Sequence, residues 1–425
     1  MTVTLPHEWV RRHAEADPDA PAVVFTDTTL SYGELDDRAD RRAEQLIATG
    51  VGPGILVAVD ATPDPETLVE LVGVARTGGV AALTGSQRMD CDHHVGDDVF
   101  VVVPTSGSSG TPRGVILTRQ NAAAAVDASQ RRLGNRQEDR WLLTLPLFHV
   151  GGLSIVWRSL SAGGSIRLLP RFETDAVVAA LRDRAVTMAS LVPTMLHRIL
   201  ERDPGPYNGL RAILLGGAPA STELVQRALF AGLPVLQTYG MTETASQVAT
   251  VEPGRAIESL GTAGPPLPDI DLSFEDGEIL VDGQHVSPGY LGEAPRHGPH
   301  RTGDRGYLDD HGRLVVTGRT DDVIITGGEN VHASTIEAVV ASLPMERQAV
   351  VVGVADEEWG HTVVAVVEAE PGELPEIERV VRSRVARHEV PRRWVAVQEL
   401  PLLPNGKPDR AAALLLAETA VHRSG

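Results

Sequence analysis

Val99-Phe-Val-Val-Val-Pro-Thr105-Ser106-Gly107-Ser108-Ser109-Gly110-Thr111-Pro112-Arg113-Gly114-Val-Ile-Leu117 is the stretch on which the reading of this chain turns. The apolar run 99–103 has the composition of a buried strand, and the glycines after it allow tight backbone curvature. Successive backbone N–H groups and hydroxyls in such a loop can wrap a phosphate chain without buried cations, and Arg113 adds a charged fork. The pattern lacks the Gly-Lys-Ser/Thr of a Walker loop and is not GxGxxG. A flexible Ser/Gly linker is the bland alternative, which sits poorly between Val-Val-Val and Gly-Val-Ile-Leu. The segment is expected to lead from a strand into a helical stretch.

Working outward, the same alternation continues. Upstream, 32–49 carries Leu35, Ala39, Ala43 and Leu46 near helical spacing with Gly50 as its expected C-cap, 55–59 reads as a strand and 65–76 as a helix. Downstream, 121–133 and 175–184 read as helices, and 211–215 and 235–238 as strands. From about residue 252 short β segments punctuated by Gly and Pro take over, including 277–281 and 313–317. After Gly318-Arg319-Thr320-Asp321 the strand–helix order resumes, with 336–342 and 377–388 helical and 348–354 and 362–368 extended. The expected fold is α/β with largely parallel sheets: a large, multi-subdomain N-terminal domain of mixed sheets packed with helices plus a β-rich subdomain, then a small mobile α+β C-terminal domain.

Composition narrows the function classes. The 425 residues are 22% charged, 42% hydrophobic and 4% aromatic, a soluble globular balance. A formal charge of −19 disfavours DNA, RNA and anionic lipid as partners, so an anionic substrate must be met by local donors. One cysteine, Cys91, excludes an intrachain disulfide framework. The start, MTVTLPHEWVRR, has no apolar signal region, and no 18-residue uncharged apolar run occurs, so a cytoplasmic protein without a membrane span is expected. Of the 38 basic residues only Lys407 is lysine. An arginine codon bias with one lysine left by chance accounts for this, but so does a site that needs a compact ammonium where a planar guanidinium will not fit. Its loop, Pro404-Asn405-Gly406-Lys407-Pro408, is rich in Pro and Gly, as loops that carry catalytic groups often are.

Three further segments carry chemistry. In Tyr239-Gly240-Met241-Thr242-Glu243-Thr244, after a strand, Glu243 could hold Mg²⁺ and Thr242 could contact phosphate; a turn capping a following helix is the alternative. Thr302-Gly303-Asp304 and Gly318-Arg319 lie one hairpin apart, where a carboxylate could accept both ribose hydroxyls and an arginine could meet phosphate or ribose oxygen, or the two form an ordinary surface pair. Cys91-Asp92-His93-His94 hints at a metal site but lacks a fourth ligand at fixed spacing, and a solvated loop is preferred.

Taken in order, the glycine-rich loop, YGMTE, TGD, GRTDD, GGEN and PNGK make the chain similar to the adenylate-forming superfamily: acyl-CoA synthetases, peptide-synthetase adenylation domains and luciferases. The resemblance covers residues 21–410 and implies a large adenylation domain over 1–319, with its β-rich part at 252–318, and a cap domain over 320–425 that rotates about a hinge at Asp321. It implies ATP, Mg²⁺ and coenzyme A as co-reactants of a small carboxylic acid; a homodimer or higher homo-oligomer stays open. The ATP/AMP positions it implies are Thr105, Ser106, Gly107, Ser108, Ser109, Gly110, Thr111, Arg113, Gly114, Gly217, Ala218, Pro219, Tyr239, Gly240, Met241, Thr242, Asp304 and Arg319. Glu243 matches the Mg²⁺-associated acid, Gly327 and Gly328 the turn that enters the pantetheine tunnel, and Lys407 the lysine that bridges substrate carboxylate and α-phosphate.

Leu145-Pro-Leu-Phe-His149-Val-Gly-Gly152-Leu153-Ser154, Leu215-Gly216-Gly217-Ala218-Pro219 and YGMTETASQ resemble most the o-succinylbenzoate–CoA ligases of menaquinone synthesis. The acyl pocket this implies is His149, Gly152, Leu153, Ser154, Arg158, Val192, Pro193, Gly216, Gly240 and Ser246. The substrate has a second carboxylate, for which Arg158 is the candidate cation; a surface position among 37 arginines is the alternative. His149 is expected to be a pocket wall or gate rather than a base, because activating an ionised acid abstracts no proton. Other aryl or medium-chain acids, or loading of a carrier protein, remain open, as does a non-catalytic nucleotide binder. Arg113 stands where the family usually has lysine, and His332-Ala-Ser-Thr335 replaces its usual aromatic-Pro-x-Glu. Lys407→Ala is expected to lose pyrophosphate release while still converting preformed acyl-adenylate and CoA to thioester; unchanged pyrophosphate release would remove Lys407 from the mechanism.

Overall fold

A computed structural model describes residues 6–26, 28–84, 95–105, 113–320, 323–343, 348–356, 359–403 and 408–422. Its largest sheet has eight strands in the spatial order Ser246–Thr250, Val235–Met241, Ala212–Leu215, Met188–Leu191, Arg140–Leu143, Ser165–Leu168, Pro21–Phe25 and Thr28–Ser31. The six inner strands run parallel and the two edge strands antiparallel. Helices cover both faces, so the inner strands carry unbroken apolar runs such as Trp141-Leu142-Leu143 instead of alternating.

A second sheet orders Gly289–Tyr290, Arg113–Thr118, Val99–Thr105, Val80–Thr84 and Leu56–Asp60. Here one expectation is corrected. The glycine-rich loop does not run into a helix but closes an antiparallel hairpin, Val99–Thr105 against Arg113–Thr118, with Thr105 opposite Arg113. Val115, Ile116 and Leu117 have a side-chain chemistry that suits a pleated, half-buried surface better than a helix start. The helix Arg119–Leu133 begins only after Thr118, whose hydroxyl accepts from Asn121 N at 3.1 Å while Asn121 Oδ1 accepts from Thr118 N at 2.9 Å. Helix Tyr32–Ala48 is capped the same way by Ser31 and Glu34 and buries the Leu35, Ala39, Ala43, Leu46 stripe; Thr49, not Gly50, is its C-cap.

The glycine-punctuated region forms an antiparallel sheet ordered Asp271–Glu275, Glu278–Asp282, His300–Leu308 and Leu314–Arg319. Beyond it, Ala349–Asp356, Gly360–Glu368 and Arg393–Val397 form a three-stranded sheet. Side chains of successive strand residues point to opposite faces. Val363, Ala365 and Val367 therefore pack with Ile336, Val340, Ile377 and Val381 of helices Ala333–Ala341 and Leu374–Arg384, whereas Val364 and Val366 pack with Ala413 and Ala417 of helix Arg410–His422. Among the described residues no helix is long and apolar enough to cross a membrane.

Asp139 ties together the ends at which three parallel strands begin. Its buried carboxylate accepts from Arg211 Nε at 2.8 Å and Nη2 at 2.7 Å, Thr187 Oγ1 at 2.8 Å and Arg136 N at 2.8 Å. Burial alone would raise its pKa, but the hydrogen bonds from Arg211, Thr187 and Arg136 hold it below the ordinary value. With the folded pKa below an unfolded value of about 3.9, this stabilisation is complete above about pH 4 and is lost as pH falls through the folded pKa. Asp139→Asn should lower the unfolding free energy at pH 7 by about 3 kcal/mol and flatten the acid limb of stability, as read by urea titrations between about pH 3 and 7.

Candidate active site

A cleft of about 580 Å³ opens where the parallel strands of the large sheet end, walled by Leu191-Val192, Leu214, Gly216-Gly217 and Thr238. Ligand groups gather at the carboxyl ends of strands in open α/β sheets for the same topological reason. The mouth of the glycine-rich hairpin, Thr105 and Arg113, lines the same cleft. The hairpin tip, residues 106–112, lies outside the described residues, and with it Ser106, Gly107, Ser108, Ser109, Gly110 and Thr111.

Tyr239, Gly240 and Met241 continue strand Val235–Met241 rather than follow it. The chain then makes a single 3-10 turn, Thr242–Thr244, and returns antiparallel as Ser246–Thr250, so there is no following helix for the turn to cap. The return is tight: a Cβ on Gly240 would lie 1.6 Å from Ser246 O, and Ala245 and Ser246 take positive φ of 49° and 108°. Non-glycine residues rarely adopt these conformations unless the surroundings hold them. The hydroxyl of Thr244, which donates to Met241 O at 3.1 Å or Ser246 O at 3.2 Å, belongs to that hold. As a result Gly240, Met241, Thr242, Glu243 and Ser246 all face the cleft.

Glu243 Oε1 accepts from the Tyr290 hydroxyl at 3.0 Å, and the Glu243 carbonyl accepts from Ser287 N at 2.8 Å. Among the described residues Glu243 makes no ion pair, and no group of three or more His, Cys, Asp or Glu could cage a metal. A hard carboxylate oxygen without a cation, beside the Thr242 hydroxyl and the mouth of a phosphate-type loop, is a donor set that suits Mg²⁺. That ion is usually held by one or two carboxylates together with substrate phosphates. Arg113 is engaged elsewhere: Nε and Nη2 donate to Glu293 at 3.0 and 2.6 Å, and its guanidinium lies 3.4 Å from the Tyr290 ring centroid.

Asp304 and Arg319 sit opposite each other in the hairpin His300–Leu308 and Leu314–Arg319, as their spacing suggested. Asp304 accepts from Tyr239 Oη at 2.7 Å and Arg319 Nη1 at 3.1 Å. Burial, with Asp304 beside it, pushes the Tyr239 phenol up, which keeps it a donor. Arg319 lines the cleft.

The acyl side is built on helix Val150–Ala162. It starts where Gly152 lets the chain pass: a Cβ there would be 2.4 Å from Pro146 O. Positions four apart share a helix face, so Ser154 and Arg158 both point into the cleft, with His149, the N-cap, at its rim. Arg158 is 3% exposed. Its Nη2 donates to Ser246 Oγ at 3.0 Å, Ser246 Oγ donates to Ser154 Oγ at 3.2 Å, and the guanidinium lies 5.7 Å from the Trp141 ring. Burial pulls its pKa down to about 9, so it stays charged at neutral pH, and among the described residues its hydrogen-bond partner is a hydroxyl and not a carboxylate.

Of the other expected positions, Val192, Gly216 and Gly217 line the cleft, Leu153 is packed in the core and Pro193, itself buried, opens the helix Pro193–Arg202. Gly114, Ala218 and Pro219 flank the wall without lining it. Gly327 and Gly328 do not line the cleft: they turn between strands Val323–Thr326 and Glu329–His332, with Gly327 against the Trp359 ring. Asp321, Lys407 and the 91–94 cluster lie outside the described residues. Leu403, four residues before Lys407, lines the cleft, and Leu402 bridges to Pro408. Sequence reasoning missed Tyr290, Glu278 and His300, which also line the cleft. Their signal was weak, since Tyr290 lies in a two-residue strand and Glu278 and His300 each begin a strand without a motif at that position.

Residues 10–87 and 85–291 match the family model for the AMP-binding enzyme, and 335–407 match the AMP-binding enzyme C-terminal domain. The chain therefore belongs to the AMP-binding enzyme family, whose adenylate-forming members include acid–CoA ligases. It is similar to the 2-succinylbenzoate–CoA ligase of Bacillus cereus strain AH820, 33% identical over 94% of this chain and 96% of the relative. Among solved structures it resembles the o-succinylbenzoate CoA synthetase (MenE) of Bacillus subtilis in complex with the acyl-adenylate intermediate OSB-AMP, with TM-score 0.85, 30% identity and coverage of 96% and 97%. The same synthetase in complex with ATP and magnesium ion matches with TM-score 0.83, 31% identity and coverage of 95% and 98%.

Proposed function

We propose that this enzyme joins o-succinylbenzoate to coenzyme A: the acid displaces pyrophosphate from ATP to give the acyl-adenylate, and the CoA thiol then displaces AMP to give the thioester. The observation that carries the choice of acid is Arg158, a buried, charged guanidinium aimed into the cleft with no carboxylate to neutralise it among the described residues. A buried charge without a partner is costly, and a second substrate carboxylate would supply that partner. A monocarboxylic acid would leave it unmet.

In this reading Glu243, with Thr242 beside it, holds Mg²⁺, which when bound offsets charge on the phosphates. Asp304 receives the ribose hydroxyls and Arg319 stands over them. Gly216 and Gly217 and the segment Tyr239–Met241 form the nucleotide wall, where the absence of side chains on the glycines lets the ligand approach backbone. His149 closes the rim and takes no proton. Lys407, from the loop beginning at Leu403, supplies the ammonium between carboxylate and α-phosphate. The domain division at 319/320, a hinge at Asp321 and a role for Gly327 and Gly328 toward CoA belong to the same proposal.

Pyrophosphate release with Mg-ATP, measured for o-succinylbenzoate, benzoate and octanoate with and without CoA, tests it. Turnover is expected with o-succinylbenzoate, with AMP and thioester accumulating together only when CoA is present; preference for a monocarboxylate would discard this substrate. Arg158→Ala should raise KM for o-succinylbenzoate by about 30-fold or more while leaving that for benzoate unchanged. Equal losses for both acids would undo the assignment of Arg158.

A further inference from the structure

Tyr290 stands between the glycine-rich hairpin and the acid turn and touches both. Its backbone pairs with Val115 in the two-residue strand Gly289–Tyr290, and Leu291 N donates to Gly114 O at 2.8 Å. On the other side, Ser287 N holds the Glu243 carbonyl at 2.8 Å, and the Ser287 hydroxyl lies 2.6 Å from Ile116 O and 2.9 Å from Gly289 O, either of which it can donate to. Backbone contacts thus secure the strap 287–291 without the phenol. The hydroxyl is an addition, and it spends its one proton on Glu243 Oε1 at 3.0 Å.

We infer that Tyr290 is a positioning residue for the metal-holding carboxylate: its hydroxyl fixes Glu243 in one orientation while leaving the charge of that carboxylate available to a cation. The inference rests on the reading of Glu243 given above. A glutamate side chain has three rotatable bonds, and an anchored oxygen removes most of that freedom before the metal arrives. The anchor is neutral. A lysine or arginine in its place would orient the carboxylate equally well but would neutralise it and compete with Mg²⁺. The nearby cation is dealt with separately, since Arg113 lies on the face of the Tyr290 ring and is paired with Glu293. Outer partners that orient a metal ligand in this way commonly carry a 10- to 100-fold effect on metal affinity.

Tyr290→Phe removes one oxygen and keeps the ring under Arg113. Calorimetric titration of ATP in the absence of any acid, with and without Mg²⁺, reads the metal contribution as a ratio of dissociation constants and involves no turnover. The ratio should fall by about 10-fold in Tyr290→Phe and vanish in Glu243→Gln, with AMP affinity and the thermal midpoint of Tyr290→Phe unchanged. A ratio that is unchanged in Tyr290→Phe but lost in Glu243→Gln overturns the positioning role and leaves Glu243 as the metal acid. A ratio that survives Glu243→Gln overturns the metal reading and this inference with it. An equal fall in AMP affinity would mark a disturbed cleft wall instead of a lost metal orientation, and would also overturn it.

Discussion

The close crossing of backbone at Gly240 and Ser246 is the constraint on which the site depends. Strand Val235–Met241 arrives at the end of a parallel sheet, and the chain must reverse within a single turn to pair with itself as Ser246–Thr250. Only a residue without a Cβ allows the Ser246 carbonyl so near position 240, and the reversal forces Ala245 and Ser246 into left-handed backbone. One turn thereby supplies two parts of the cleft. Its outer residues, Thr242 and Glu243, face the hairpin of the glycine-rich loop, while Ser246 on the return strand reaches Arg158. On the proposed function, the nucleotide side and the acid side are tied to the same few peptide units.

Electrostatics at the site run against those of the molecule. The chain is strongly acidic, yet the acid and the nucleotide are both anions. A large field of either sign would not resolve this; individually placed groups do. Many arginines are spent on exposed ion pairs, such as Arg255 with Glu258 and Arg379 with Glu376, which contribute little to stability. Arg158 differs by being buried and, among the described residues, hydrogen-bonded to the Ser246 hydroxyl and not to a carboxylate. Glu243 differs in the opposite sense, as an anion at the cleft held by a phenol. A cation and an anion, neither ion-paired among the described residues, line one cleft, and the proposed function gives them a carboxylate and a metal–phosphate as complements.

Much of this was legible in residues 1–425 before any coordinates. The parallel α/β core followed from apolar runs alternating with helical stripes, and Asp304 and Arg319 were already one hairpin apart. The misreadings have local causes. Gly114 to Leu117 follow a loop that in many α/β folds precedes a helix, but their β-branched content pairs them with the strand before the loop. Tyr239 to Met241 resemble the start of a turn, yet they are held in the ladder by a strand that comes later in the chain.

What local sequence dictates here is chemistry that a few consecutive residues can express: a glycine-rich loop after a strand, a carboxylate in a turn, a single lysine in a Pro/Gly-rich loop. Their order along the chain sufficed to mark the family. The resemblance named Arg158 as a candidate among 37 arginines, but that it is buried, and which of five tyrosines meets Glu243, could not be read that way. Arg158 meets Ser246 across 88 residues and Tyr290 meets Glu243 across 47. Such partners are chosen by the packing of strands and helices far apart in the chain, and burial, which turns an ordinary arginine into an unpaid charge, exists only once that packing is complete.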